Sequence, residues 1–292
     1  MDQASTLRTL VDSHDKQFNQ KNMTNAKVIT VSSGKGGVGK SNFVANLAIS
    51  LSRLGKEVVI VDADLGLANI EVLFDIIPRK TLKNVVFDNE NIKDVMTKGP
   101  LGIQFLSGGS GIREIAKIGE IQQKRLINSF AYLDDRFDYI LIDTGAGISD
   151  LVLNFIKSSH ETYIVCTPEP TSITDAYALL KVASEYTKDT CVMYKLIVNK
   201  VENKNEALNI YNKLSYAIEK FLNMEIELLG YLSEDVNLVK SVKKQVPIAM
   251  GYQNSKYTKE IKDISISVTD NSNVNVDEKS TFLERLVNVF NK

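Results

Sequence analysis

Cysteine and histidine are scarce in this chain, with two of each among 292 residues. Cys166 and Cys191 lie far apart and form no Cys-x-x-Cys pair. Their arrangement argues against a zinc or iron–sulfur site built within one chain and against a disulfide framework, so we expect two buried thiols in a reducing cytosol. His14 and His160 have no partner pattern, and we expect both at the surface.

Long apolar runs and a strong net charge are also missing. No stretch reaches the roughly 18 apolar residues that span a bilayer, and Met1–Lys16 lacks the apolar segment of a secretory signal. The formal net charge of −1 provides no global basic field for nucleic acid, although it leaves room for a local patch. The sequence therefore predicts a cytoplasmic protein for which DNA is an unexpected partner.

Short runs of apolar, often β-branched residues recur along the chain. Near-continuous runs of this kind are typical of strands buried on both faces, as in parallel sheets. Helical patterns lie between several of them, at Asn42–Leu54, Gln122–Leu133 and Asn205–Leu222. This alternation predicts an α/β domain in which helices cover both faces of a mostly parallel sheet. The strand runs are Val28–Val31, Val58–Val61, Ile103–Leu106, Tyr139–Ile142, Tyr163–Cys166, Leu196–Val198 and Ile226–Leu229.

Polar segments delimit this domain, which we place at residues 27–264. Residues 1–11 carry one apolar stripe and predict a short helix, whereas residues 12–26 lack periodicity and predict a linker. After the domain, residues 265–280 are rich in Ser, Asn and Asp, which predicts a flexible spacer. Residues 281–292 then return to an amphipathic pattern.

This last segment predicts a helix that is about 18 Å long at ~1.5 Å per residue, so it can lie on a membrane but not span it. Few basic residues line its polar face, so its attraction to anionic lipids should be modest. A terminal helix packed back on the domain would show the same pattern, and the sequence leaves both arrangements open. The apolar positions are Phe282, Leu283, Leu286, Val287, Val289 and Phe290.

A glycine-rich segment directly follows the first strand and precedes a helical pattern, as a phosphate-binding loop requires. Its glycines allow backbone N–H groups to converge on phosphate oxygens, and the helix N-terminus adds the positive end of its dipole. Lys40 is expected to reach the β- and γ-phosphates, and the Ser41 hydroxyl to bind Mg²⁺. The segment therefore predicts a site for Mg-ATP. It reads Gly34-Lys35-Gly36-Gly37-Val38-Gly39-Lys40-Ser41 and satisfies G-x-x-x-x-G-K-[ST].

Two further strands end in carboxylates. Asp62 and Asp64 follow Val58–Val61 at a spacing of two, which places both on one face of the strand. Asp143 follows Tyr139–Ile142 and suits a Walker B ligand that contacts Mg²⁺ directly or through water. Strand-end aspartates also cap helices, so a structural role for these residues is the alternative.

Lys35 within the glycine-rich segment resembles the additional lysine in the deviant Walker A loop of the MinD/ParA ATPases. Val61–Asn69 resembles switch I of that family, and Asp143–Gly147 its switch II. The resemblance extends from Lys27 to about Gly251 and implies a homodimer closed by ATP. In it Lys35 would neutralise phosphate charge across the dimer.

The same resemblance implies roles for the matching residues around the nucleotide. Asp64 would orient or activate the attacking water, Asp62 would support the metal shell, and the Gly145 backbone N–H would sense the γ-phosphate. Asn199 matches an asparagine that contacts adenine. The next loop on the base side usually reads Pro-x-Asp in the family, but Ser233–Asp235 replaces it here, which puts base recognition by this loop in doubt. The family loop corresponding to Thr167–Thr171 lies near the dimer surface, and we expect a structural role for it.

Within this superfamily the sequence is most similar to the MinD-like flagellar-number regulators, the FlhG/FleN group. Lys40-Ser41-Asn42 replaces Lys-Thr-Thr, and Asp64–Asn69 and Asp143–Gly147 fit the group. Asp2–Arg8 is similar to its Asp-Gln-Ala-x-x-Leu-Arg element, which activates FlhF, a GTPase related to those of the signal recognition particle. The resemblance implies control of flagellar number, flagellar switch-complex proteins as partners, and reversible membrane association through Phe282–Phe290.

Related functions remain as alternatives. A division-site MinD would share the ATPase and the membrane helix but would not use Asp2–Arg8. A ParA-type DNA-partitioning ATPase would need a basic surface stripe and salt-sensitive DNA binding. A metallocluster carrier would need bridging cysteines, which the arrangement of Cys166 and Cys191 does not supply. A catalytically inactive binding module is disfavoured by the presence of the loop lysine, its serine and the strand-end aspartates.

Overall fold

The computed structural model describes residues 26–64, 69–109, 119–270, 282 and 285–287. The predicted N-terminal helix, with its Asp2–Arg8 element, and nearly all of the predicted linker lie outside the described residues. So do four residues of the predicted switch I, at 65–68, the predicted spacer from residue 271 onward, and most of the C-terminal amphipathic segment.

A single eight-stranded sheet crosses the described part of the chain in the order β3-β4-β2-β5-β1-β6-β7-β8. All neighbouring strands are parallel except the antiparallel pair β3–β4. The prediction of a mostly parallel sheet is therefore confirmed, and every predicted run contributes to a strand. The strands are β1 Lys27–Ser33, β2 Val58–Ala63, β3 Thr97–Lys98, β4 Gln104–Ser107, β5 Tyr139–Ala146, β6 Glu161–Cys166, β7 Met193–Val201 and β8 Glu227–Ser233.

Helices connect the strands and confirm the three predicted helical patterns within a few residues. A 3₁₀ turn lies at Pro100–Gly102. The α-helices are α1 Lys40–Arg53, α2 Asn69–Phe74, α3 Leu82–Asp88, α4 Ile92–Val95, α5 Glu120–Asp134, α6 Asp150–Ser158, α7 Pro170–Tyr186, α8 Lys204–Leu222, α9 Val236–Lys243, α10 Ile248–Gly251 and α11 Lys256–Asp270.

Alternate residues of the central strands enter cores on opposite faces of the sheet. Ile29 and Val31 of β1 pack with α1 and α11 on one face. Val28 of the same strand packs with α5 on the other face, where α7 and α8 cover β6 and β7. Burial on both faces explains why these strands consist of nearly uninterrupted apolar residues.

The domain ends later than predicted, because α11 continues through Ser265 and Val268 to Asp270, and both of these side chains are fully buried. The prediction that a flexible spacer begins at residue 265 is therefore wrong. The Ser265 hydroxyl donates to the Lys262 carbonyl one turn earlier, and Val268 continues the apolar stripe of Ile261. The helical spacing of the apolar residues outweighs the polar composition of this segment.

The described residues of the C-terminal segment pack against the domain. Phe282 and Leu286 are 0% and 1% exposed, and the Phe282 ring meets Phe130 of α5 edge to face, with centroids 5.6 Å apart. Arg285 donates from Nη1 to the Ser159 carbonyl over 3.1 Å. Of the two arrangements that the sequence left open, the structure contains the docked one. Within the described part of the chain, no helix is both long and apolar enough to cross a membrane.

The sequence assigned His160 to the surface and Cys191 to the interior, and both assignments are wrong. His160 is buried, and its Nδ1 accepts the Val28 N–H over 3.0 Å. Burial, with Arg285 and Lys27 nearby, lowers the pKa of His160 to about 4. Cys166 is buried as predicted, and burial raises its thiol pKa to about 12, but Cys191 is exposed.

Candidate phosphate site

The glycine-rich segment forms the connection between β1 and α1 at the carboxyl edge of the sheet. Gly37 and Gly39 have φ values of 76° and 95°, in the left-handed region that glycine adopts without strain. A Cβ atom on Gly34 would collide with the Asp175 backbone of α7. Helix α1 begins with no side-chain cap at Gly39, so the N–H groups of its first turn remain available for an anion.

Lys40 begins α1 and points into the site rather than to solvent, with 7% of its surface exposed. Burial lowers the pKa of its ammonium, while Asp143, Asp64 and Asp62, in decreasing order, raise it. The structure therefore brings the loop lysine together with all three strand-end aspartates predicted for the site.

Asp62 and Asp143 are direct neighbours across the parallel pair β2–β5. Burial and the negative charge of Asp143 raise the pKa of Asp62 to about 7. Its two oxygens accept backbone N–H bonds from Asp64 at 3.2 Å and from Ile70 at 3.1 Å. Asp62 thereby links the end of β2 to the start of α2, at the two ends of the predicted switch I.

Asp143 is fully buried, and burial raises its pKa to about 6 against the opposing influence of the Ser41 hydroxyl and the Lys40 ammonium. Neither of its two carboxylate oxygens has a hydrogen-bond partner of normal geometry among the described residues. An unsatisfied buried carboxylate beside a hydroxyl fits a Mg²⁺ site. Within the described part of the chain, no group of three or more His, Cys, Asp or Glu side chains is arranged to hold a metal ion.

The two predicted switches meet at Asp64 and Gly145. A Cβ atom on Gly145 would lie 3.4 Å from Asp64 Oδ1, so the carboxylate rests against the switch II backbone. Asn69 donates from Nδ2 to Asp64 Oδ2 over 3.1 Å and holds the carboxylate from the other end of switch I. Asp64 thus lies between the two predicted switch segments.

Lys35 lies within one protomer against a loop for which the sequence predicted only a structural role. Its Nζ contacts Glu169 Oε2 at 2.5 Å and Thr171 Oγ1 at 3.0 Å. Both charged side chains are partly exposed, at 38% and 57%. The hydrogen bond from Lys35 lowers the pKa of Glu169. No local pattern could reveal this contact, because it joins two loops that are distant in the sequence.

On the base side, Asn199 Nδ2 donates to the Val38 carbonyl over 2.7 Å. Its neighbour Lys200, which the sequence analysis did not select, contacts the same loop. The Ser233 backbone N–H and hydroxyl donate to the two oxygens of Glu260, both at 2.7 Å. Since proline has no N–H, the backbone bond could not form with the proline that the family usually carries there.

Comparison with known proteins agrees with this geometry. A family model described as ParA, NUBPL iron-transfer P-loop NTPase, matches residues 24–269. The antiactivator FleN of Pseudomonas aeruginosa is 35% identical over 242 residues, which cover 83% of this chain and 86% of FleN. The flagellum site-determining protein YlxH of Helicobacter pylori is 33% identical over 266 residues, covering 90% of this chain and 88% of YlxH. The solved structure of the MinD cell division protein of Aquifex aeolicus superposes with a TM-score of 0.66 at 25% identity, covering 84% of this chain and 97% of that one.

Proposed function

The chain belongs to the ParA-type family of P-loop NTPases, and we propose that it is a MinD-like ATPase that controls the number and placement of flagella. The similarity to FleN and YlxH, which covers more than four-fifths of each protein, carries the flagellar part of the proposal. The cluster of Lys40 with three aspartates, of which Asp62 and Asp143 are buried, carries the enzymatic part of the proposal.

In the proposed reaction, ATP and water give ADP and phosphate. The loop N–H groups and Lys40 bind the phosphates, and Asp64 orients the water for attack on the γ-phosphate. Mg²⁺, when bound, neutralises charge on the phosphate oxygens, and Ser41 and Asp143 would hold it. Asp62 keeps switch I in place through its bonds to the Asp64 and Ile70 N–H groups.

ATP then acts as a switch because the proposed homodimer depends on it. Lys35 has to leave Glu169 and Thr171 before it can reach the phosphates of the partner subunit. Exposed ion pairs of this kind contribute little to stability, so contacts with a bound triphosphate can displace this one. Such coupling requires that ATP bind the dimeric state more tightly than the monomeric state.

Membrane association is proposed to follow from release of the docked C-terminal segment. Its apolar face cannot enter a membrane while Phe282 and Leu286 are buried against α5. Each buried side chain of this size contributes about 1.5–3 kcal/mol, so release requires a coupling free energy of a few kcal/mol. Two segments presented by one ATP-bound dimer would bind the membrane together more strongly than one.

The proposed partners are the GTPase FlhF, through Asp2–Arg8, and flagellar switch-complex proteins. A division-site MinD is the second candidate, supported by the similarity to MinD proteins. An iron carrier, as the description of the family model suggests, is not favoured. It would need accessible bridging thiols, whereas Cys166 is 0% exposed inside the sheet and Cys191 is the only other cysteine.

The test is the GTPase activity of purified FlhF with and without the full chain, beside a full-length Arg8→Ala variant and a peptide spanning Met1–Lys21. Stimulation by both the chain and the peptide, lost in the variant, would support the flagellar assignment. Absence of stimulation by the unmodified chain would contradict the FlhF interaction and favour the division-site alternative.

A further inference from the structure

The end of β7 is irregular at Lys200. The register with β8 shifts between Asn199 and Val201, and Lys200 has a φ of 58°, in the left-handed region. In a regular strand, consecutive side chains point to opposite faces, but a bulge redirects one of them. Here the side chains of Asn199 and Lys200 both reach the phosphate loop. The strained backbone at Lys200 therefore directs its side chain to the phosphate loop, beside that of Asn199.

The two side chains bind consecutive carbonyl groups of the loop. Asn199 Nδ2 donates to the Val38 carbonyl over 2.7 Å, and Lys200 Nζ donates to the Gly37 carbonyl over 2.9 Å. The Lys200 backbone N–H donates to Asn199 Oδ1 over 2.8 Å, which fixes the orientation of the amide. Asn199 is 1% exposed, and a Cβ atom on Gly39 would collide with its amide.

These bonds determine where the loop N–H groups point. In a trans peptide the C=O and N–H groups point in opposite directions. Drawing the Gly37 and Val38 carbonyls toward β7 therefore turns the N–H groups of Val38 and Gly39 away from it, into the concave side of the loop. A donor on the carbonyl also polarises the peptide and strengthens its N–H as a donor to an anion.

We infer that Lys200 is a positioning residue of the phosphate loop, which together with Asn199 orients the Val38 and Gly39 N–H groups toward the phosphates of a nucleoside di- or triphosphate. The inference rests on nucleotide binding at this loop, which is part of the proposed function. It gives Asn199 a task on the phosphate side that is separate from any contact with the base.

The discriminating probe is inorganic tripolyphosphate, which has phosphates but no base. Competition against a fluorescent ATP analogue gives the inhibition constants of tripolyphosphate and of ATP. In Lys200→Met, which removes the donor from an exposed side chain, both constants should rise together by about fivefold. Lys200→Arg keeps a cationic donor and should recover most of the loss. Asn199→Ala should likewise weaken tripolyphosphate.

Lys204→Met is the matched control, because it removes an exposed lysine from the start of α8 and should leave both constants within about twofold. Thermal unfolding of each variant verifies that it is folded. Weakened ATP with unchanged tripolyphosphate in Lys200→Met would overturn the inference in favour of a role at the base, and equal losses in Lys204→Met would reduce it to a general charge effect. If the unmodified chain bound neither ligand, the proposed ATPase itself would be wrong.

Discussion

The two lysines of the phosphate loop lie in contrasting surroundings. Lys40 is 7% exposed and faces the three aspartates of the site. Lys35, in the same loop, is paired with Glu169 and Thr171 at the rim of the site, and 38% of its side chain is exposed. The buried lysine belongs to a fixed arrangement within one protomer, whereas the exposed lysine can exchange partners.

The two lysines differ because water reaches the ion pair of Lys35 but not the surroundings of Lys40. Removing one partner from a buried group of charges costs about 3–5 kcal/mol, because the remaining charge stays buried without compensation. Water screens an exposed pair and replaces its hydrogen bonds when it breaks. We therefore expect substitutions in the buried part to abolish binding or chemistry, and substitutions at the rim to shift an equilibrium.

The largest effect is expected for Asp64→Ala, which removes the half-buried carboxylate that faces Lys40. A group that orients or activates the attacking water contributes about 10²–10⁴ in rate, so turnover should fall by at least about 10² while ATP still binds. The ATP-bound dimer should accumulate, as measured by phosphate release and size-exclusion chromatography. Asp94→Ala, an exposed aspartate of α4, is the control and should retain turnover. Normal turnover in Asp64→Ala would show that Asp64 does not orient or activate the attacking water.

The next effect tests the two lysines directly. Lys40→Met should weaken ATP binding by about 10² or more, because it leaves the phosphates and the buried carboxylates without their cation. Lys35→Met should leave ATP binding to the monomer within about threefold, yet prevent the ATP-dependent dimer. Titration calorimetry and light scattering measure the two properties. Equal losses of ATP affinity in both variants would contradict the distinction between buried and exposed lysine.

A third prediction extends the comparison to another buried group. Burial lowers the folded-state pKa of His160 to about 4, below the usual value of 6.5 for histidine. Folding therefore favours the neutral imidazole, and this stabilisation is complete above pH 6.5 and lost as the pH falls toward 4. The difference in unfolding free energy between the native chain and His160→Gln should shrink by up to about 3 kcal/mol across this window. Urea titrations measure it, and His14→Gln serves as the control. A difference independent of pH would show that His160 is not held neutral.

The sequence predicted the parts of this molecule that depend on local pattern. Apolar runs such as Tyr139–Ile142 marked the strands because burial on both faces demands nearly uninterrupted apolar residues. Strand β3 was missed because two residues at an antiparallel edge carry no periodicity. The burial of His160 was missed because its partners come from Val28 and Arg285, which lie far away in the chain.

The candidate site likewise contains features that the local sequence predicts and features that only the tertiary structure reveals. The loop motif and the strand-end aspartates could be found from spacing alone, because each lies immediately beside the strand that positions it. The contact of Lys35 with Glu169 and the contacts of Lys200 with the loop could not, since they depend on how β6 and β7 are placed beside β1. Charged side chains at loop ends leave no periodic signal in the sequence.

The smallest effect concerns the rim and tests whether the Lys35 contact opposes dimerisation. Glu169→Gln removes the charge of its partner but leaves Thr171 in place, so the ATP-dependent dimer should form at a concentration about two- to threefold lower. Glu185→Gln is the matched control, because Glu185 at the end of α7 forms another exposed ion pair, with Lys188 just beyond the helix. Analytical ultracentrifugation with ATP measures both. A weaker dimer in Glu169→Gln would instead mean that Glu169 supports Lys35 in the ATP-bound state. The contact between Lys35 and Glu169 would then be part of the fixed arrangement of the site rather than an exchangeable one.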